Sequence, residues 1–174
     1  MFFIHGGFAG EKVNTYDGAR ISQEFNVVVA TINYRLGPLG FLTTKEEGEV
    51  SGNVGMVDQR LAMRWVKQEA AHFGGNPGHV NIVGETPGDM SVLHHSISPL
   101  SVGLFQRVAG EHGVPKSNSE GYGLGISSAL GERLGCTEEG NALKACLASK
   151  PLAELFNGNT DARWCPVVGK EDEF

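Results

Sequence analysis

Gly84-Glu85-Thr86-Pro87-Gly88-Asp89 separates two segments of different periodicity. Before it, His79-Val80-Asn81-Ile82-Val83 alternates polar and apolar residues like a half-buried strand; after it, Asp89-Met90-Ser91-Val92-Leu93 can open a helix. The six residues therefore read as a strand-to-helix turn. Further strands are expected at Met1 to His5, Asn26 to Asn33 and Gln106 to Ala109, each rich in Val, Ile or Phe and bounded by Gly, Asn or Pro. The clearest helix runs from Asp58 to Phe73, with Leu61, Ala62, Trp65, Val66, Ala70 and Phe73 on one face and Gly74-Gly75 at its end. Strands and helices in alternation predict an α/β class, a mostly parallel sheet flanked by helices and joined by right-handed crossovers.

The chemistry of such a turn is nucleophilic when a serine sits in it. In an α/β-hydrolase the turn reads Gly-x-Ser-x-Gly and holds that serine on a strained bend above the sheet. Gly84 and Gly88 match the two glycines, but Thr86 stands at the nucleophile position and Pro87 follows it. Thr86 keeps a hydroxyl, yet a β-branched residue is disfavoured at the positive φ this bend usually demands. Pro87 biases Thr86 toward extended backbone. Pro87 also lacks the N–H that normally supplies one oxyanion donor, a loss worth about 2.7–4 kcal/mol of transition-state stabilisation. The same residues read better as an ordinary helix start than as a threonine nucleophile, with Thr86 as N-cap, Pro87 first in the helix and Asp89 three residues beyond the cap.

Several segments in fixed order resemble the type-B carboxylesterase/lipase family, the cholinesterase-like enzymes. They are Phe3-Ile4-His5-Gly6-Gly7-Phe8, Asn33-Tyr34-Arg35-Leu36-Gly37-Pro38-Leu39-Gly40-Phe41-Leu42, Gly52-Asn53-Val54-Gly55-Met56-Val57-Asp58-Gln59, Trp65-Val66 and Phe73-Gly74-Gly75-Asn76-Pro77. Beyond the turn, Ser98-Pro99-Leu100-Ser101 and Gly103-Leu104-Phe105 continue the match, while Gly110-Glu111-His112-Gly113 departs from the family's Gln-Ser-Gly. The likeness is strongest over residues 1 to 114. It implies a partial α/β-hydrolase fold, with Gly6 and Gly7 as oxyanion-hole donors, Phe8 in place of a third glycine, and His5 shaping that loop. The resemblance implies a Cys136–Cys146 disulfide loop, a secreted, ER-lumenal or cell-surface setting, and a carboxylic ester as substrate if the chain is active. The family's acid and histidine triad members lie beyond the equivalent of Phe174, so none is expected within these residues.

Composition narrows the alternatives. The chain has 174 residues, 40% of them hydrophobic and 20% charged, and a formal net charge of -6, which argues against nucleic-acid binding and against anionic membranes. No segment has the apolar length of a membrane span. Met1-Phe2-Phe3-Ile4 is too short for a signal-peptide core and reads as an internal strand with its beginning cut away. The pattern changes after Val114: residues 124 to 156 read as helices, Ile126 to Leu134, Glu138 to Leu147 and Leu152 to Phe156. The expected organisation is one partial domain, a half-sheet over 1 to 114 and a helical excursion over 115 to 174, with Pro115-Lys116-Ser117-Asn118-Ser119 at the boundary. A half-sheet leaves at least one edge open, so the isolated polypeptide is expected to be unstable or to aggregate.

Other candidate residues carry less. Spacing cannot prove a Cys136–Cys146 bridge and leaves two reduced thiols as the lesser alternative, and Cys165 is left over without the partners of a zinc site. His94 and His95 point about 100° apart on a helix and are read as solvated or partly packed, not as metal ligands. His112 near Thr86 is weighed as a substitute base and disfavoured, because Pro87 would still lack its N–H. No cofactor is called for. Three functional readings result: an ester hydrolase by ancestry, a catalytically silent adhesion or ligand-binding ectodomain with a protein partner, as in the neuroligins, or a degenerate product. The altered turn predicts no ester hydrolysis by the chain as it stands.

Overall fold

Four parallel strands in the order β2-β1-β3-β4 form the central sheet of the computed structural model, which describes residues 2–4, 8, 17–44, 52–85, 87–110, 118–157 and 163–168. β1 (Phe2–Ile4) pairs with β2 (Ala30–Thr31) on one side and with β3 (Asn81–Gly84) on the other, and β3 pairs with β4 (Arg107–Gly110). Helices fill the connections: α1 (Ala19–Phe25) before β2, α2 (Gly37–Phe41) and α3 (Val54–Glu69) between β2 and β3, and α4 (Pro87–Ile97) between β3 and β4.

β2 is shorter than the Asn26 to Asn33 run expected from its valines. A ladder needs a partner, and β1 supplies one only for Ala30 and Thr31, opposite Phe2 and Phe3. The helix predicted from Asp58 starts four residues earlier, at Val54, and its last predicted turn, Ala70–Phe73, is a tighter 3-10 turn ended by Gly74 at φ 77. The face read from periodicity is only partly buried: Ala62 and Val66 pack against the core, but its largest side chains do not. Leu61, Trp65 and Phe73 are 64%, 53% and 61% exposed, while Met56, Gln59 and Met63 are buried. Met56 and Met63 join the core, so the helix turns a different apolar face to the sheet than its largest side chains suggested.

The second half is built from β5 (Asn118–Ser119), α5 (Glu120–Arg133), α6 (Gly140–Ala148), α7 (Leu152–Asn157) and β6 (Val167–Val168), with β5 and β6 paired in parallel. α5 begins six residues before the expected Ile126. The Ser119 hydroxyl accepts from the Tyr122 N–H at 3.3 Å and caps the helix, while Gly121, Gly123 and Gly125 had diluted the apolar period. Cys136 and Cys146 are joined in a disulfide across the turn from α5 into α6. Pro115 to Ser117 of the expected boundary lie outside the described residues.

One core runs through both halves, from Ile4, Phe8, Phe41, Ile82 and Val92 to Leu130, Leu143, Leu147, Leu155 and Trp164. Polar bonds also lock them. The buried Asn53 amide copies a strand: its Nδ2 donates to the Val167 carbonyl and its Oδ1 accepts from the Val167 N–H, both at 2.9 Å. The Thr43 N–H donates to Ser127 Oγ at 3.0 Å, and that hydroxyl donates to the Gly123 carbonyl.

Asn53→Ala leaves both polar groups of Val167 buried without these partners, at about 1–3 kcal/mol each. We expect a urea-unfolding loss of about 2–6 kcal/mol and hydrogen exchange rising first at Val167. Reducing the Cys136–Cys146 bond in the wild-type chain is expected to cost about 2–3 kcal/mol by freeing the unfolded loop, measured by unfolding with and without a phosphine reductant.

Candidate active site

Two glycines bring the carboxyl ends of the strands against the start of α4. A Cβ on Gly84 would sit 2.3 Å from the Gly88 carbonyl carbon and oxygen and 2.5 Å from the Asp89 nitrogen, so only a residue without a side chain fits there. A Cβ on Gly110, at the end of β4, would lie 2.9 Å from Asp89 Cβ. The helix therefore starts hard against β3 and β4, with Asp89 fully buried in its first turn. α4 opens at Pro87, which fits a proline whose missing N–H the helix ladder does not need. The next amide is engaged, Gly88 N–H donating to the Glu85 carbonyl at 2.9 Å.

Ile4 registers with Gly84, so β1 and β3 end side by side. The residues that follow them in sequence, Gly6, Gly7 and Thr86, lie outside the described residues, as do His5 and His112. Phe8 is described and informative. Its φ is 57, the left-handed region that glycine adopts freely and that costs other residues roughly 1–3 kcal/mol. Full burial of the ring, edge-on to Phe41 with centroids 5.0 Å apart, offsets that cost, and its carbonyl accepts from the Gly37 N–H. A phenylalanine thus holds a backbone conformation that glycine adopts freely.

A buried polar chain braces α4 from behind. Gln59 Nε2 donates to Ser91 Oγ at 3.0 Å, so its Oε1 accepts from His95 Nε2–H at 2.9 Å; His95 Nδ1 then accepts from the Ser101 hydroxyl at 2.9 Å. Gln59, Ser91, His95 and Ser101 are all 2% exposed or less. The expectation of solvated or partly packed histidines is therefore corrected: His94 is 3% exposed and His95 is a fully engaged core residue. Burial, with Arg60 and His94 nearby, pushes His95 down to about 3, so it is neutral at ordinary pH. Sequence reading missed Gln59 and Ser91. The four-residue spacing of Ser91 and His95 on one helix face was the available signal.

Asp58, expected at the start of its helix, instead lies in the second turn of α3 and grips Arg35. It accepts from the Arg35 backbone N–H at 3.0 Å and from Nε and Nη2 at 2.7 Å each. Burial opposes its ionisation, but these bonds outweigh burial and hold the carboxyl below its usual range. The donors of Cys136, Glu138 and Cys146 lie within 4.8 Å of one another, yet both sulfurs are committed to the disulfide and provide no thiolate for a metal.

With this frame in place, the carboxylesterase family model matches residues 1–172. The chain belongs to the carboxylesterase family. It is 40% identical over 173 residues to an acylcarnitine hydrolase of Mus musculus, covering 97% of this chain and 30% of that relative. It is also 40% identical over 161 residues to neuroligin-2 of Homo sapiens, covering 90% of this chain and 19% of that protein. A solved carboxylesterase of Geobacillus stearothermophilus superposes with a TM-score of 0.86 at 31% identity, over 95% of this chain and 38% of that one. The fold is that of the α/β-hydrolases, and this carboxylesterase-family chain spans less than a third of the two sequence relatives.

The His95 brace sets a pH response. The unfolded imidazole takes its proton near pH 6.5, whereas the folded one resists until about 3. Below 6.5 the unfolded state binds the extra proton, so stability is full above that pH and falls as pH drops from 6.5 toward 3. Arg60 and His94, the charged and titratable groups acting on His95, reinforce the effect. Urea midpoints measured across this window should fall steeply for the wild type and less steeply for His95→Gln.

Proposed function

We propose that these residues form the elbow-bearing portion of a carboxylesterase-family domain and do not hydrolyse carboxylic esters as they stand. The observation that carries this reading is the start of α4 at Pro87. The position that normally lends an oxyanion N–H has none, and the Gly88 N–H beyond it is donated to the Glu85 carbonyl. Thr86 at the nucleophile position, with Gly6 and Gly7 as the oxyanion loop, is the altered remainder of a serine-esterase site. A restored serine would still need a base and an acid, which in this fold follow the nucleophile in the chain. The reading includes a half-sheet over 1 to 114 and a helical excursion over 115 to 174. The Cys136–Cys146 bond supports an oxidising, secretory or cell-surface setting.

A non-catalytic binding module with a protein partner is the second reading, favoured by the match to neuroligin-2 at an identity equal to that of the acylcarnitine hydrolase. An active ester hydrolase in a longer chain is the alternative that the altered elbow opposes. The deciding experiment is hydrolysis of short-chain nitrophenyl esters by the purified chain beside a Thr86→Ala control. Equal, background rates are expected; turnover above the control overturns the proposal.

A further inference from the structure

The turn from α5 into α6 gathers two sulfurs and a carboxylate at one point. Cys136 lies just beyond α5, Cys146 lies on α6, and Glu138 follows Cys136 by two residues. One donor atom from each of the three stands within 4.8 Å of the others. The sulfurs are close because they are bonded, so the carboxylate is the informative member: an exposed side chain stands beside a disulfide that offers it neither a proton nor a positive charge. Packing also holds the two cysteine backbones in place without help from the bond. Leu130, Leu143 and Leu147 are buried in one core, and the Cys136 N–H donates to the Gly131 carbonyl at 2.8 Å. A Cβ on Gly131 would lie 2.5 Å from the Cys136 carbonyl oxygen and 2.6 Å from Leu143 Cδ1, so helix, turn and helix are in close contact there. Opening the bond therefore leaves the two Cα atoms near the 5.7 Å at which they stand.

A tetrahedral zinc ion, with bonds of about 2.3 Å to sulfur and 2.0–2.2 Å to a carboxylate oxygen, sets such donors about 3.6–3.8 Å apart. Two thiolates on these backbones reach that separation by side-chain rotation, and the Glu138 oxygen, already within 4.8 Å, closes in by about 1 Å. Thiolates select zinc and cadmium over calcium or magnesium. We propose that Cys136, Cys146 and Glu138 form a reduction-dependent site for a thiophilic divalent cation, zinc or cadmium, with water completing its shell on the exposed side. The disulfide and the metal are alternative clasps on one loop, closing the same 10-residue separation by a covalent bond or by coordination. The exchange needs a reductant, here a trialkylphosphine. Phosphorus attacks one sulfur and the S–S bond breaks, releasing the other sulfur as a thiolate that takes a proton from water. Hydroxide then frees the second thiol and leaves the phosphine oxide, so two electrons pass from phosphorus to the sulfurs. Each thiol gives its proton to solvent as it binds the cation. The site is independent of whether the chain hydrolyses esters.

The test uses the intact chain, reduced with phosphine, freed of excess reductant under nitrogen and titrated with cadmium while the ultraviolet thiolate-to-cadmium charge-transfer band is followed. The reduced chain should give a saturable band at one cadmium per chain that zinc competes away, and the oxidised chain should give none. Glu138→Gln, a change at an exposed position, should weaken binding at least about ten-fold, since losing even a supporting partner of a metal ligand costs that much elsewhere. Cys165→Ser, which removes the free cysteine, should leave affinity unchanged. Zinc should also raise the urea midpoint of the reduced chain and not that of the oxidised one. If reduction alone unfolds the chain, zinc should refold it. The inference is overturned if the reduced chain gives no band, if Glu138→Gln binds as the wild type does, if Cys165→Ser loses binding, or if zinc neither raises the urea midpoint nor restores the fold. Equal affinity in concentrated urea assigns the band to a flexible thiol pair and overturns it as well.

Discussion

The approach of one backbone to another at the end of β3 governs this structure. Gly84 lies so close to Gly88 and Asp89 that α4 can start only where it does, pressed on the strand ends. That contact sets the direction of the turn and the burial of Asp89. It also sets the face of α4 that meets α3, where Ser91 and His95 find Gln59. Gly84 and Gly110 answer to packing, because a side chain on either would meet the start of α4.

A second theme is substitution with compensation. Phe8 adopts a backbone conformation natural to glycine and is held there by its buried ring against Phe41. Asn53 does the work of a strand residue with a side chain, giving Val167 of β6 both an acceptor and a donor. Arg35 and Asp58 fasten the segment after β2 to α3 by three bonds that survive partial exposure because the geometry is bidentate. In each case a local irregularity is matched by a specific partner far away in sequence.

The sequence disclosed most where local rules and tertiary demands agree. The turn at 84 to 89, the order of strands and helices and the parallel sheet follow from periodicity and from glycine and proline chemistry. The family resemblance and the comparisons agree on an α/β-hydrolase fold. Periodicity failed where burial is decided by neighbours. Leu61, Trp65 and Phe73 look like a core stripe, but the sheet receives Met56 and Met63 instead. His95 looked solvated or partly packed because its partners, Gln59 on α3 and Ser101 in the turn after α4, are close only after folding. Strand length was over-read at β2 because a β-prone sequence cannot ladder without a neighbour. Of the candidate site, the packing glycines and the start of α4 were legible; Thr86, Gly6 and Gly7 fall outside the described residues.

The two bonds between Asn53 and Val167 also bear on how the chain reaches its structure. They join residues 114 apart, so they must wait for the closure of a loop that includes α3, β3, α4, β4 and all of α5 to α7. The sheet contacts β1–β3 and β3–β4 and the disulfide loop need shorter closures. Of the contacts named here these bonds close the longest loop, so they cost the chain the most closure entropy.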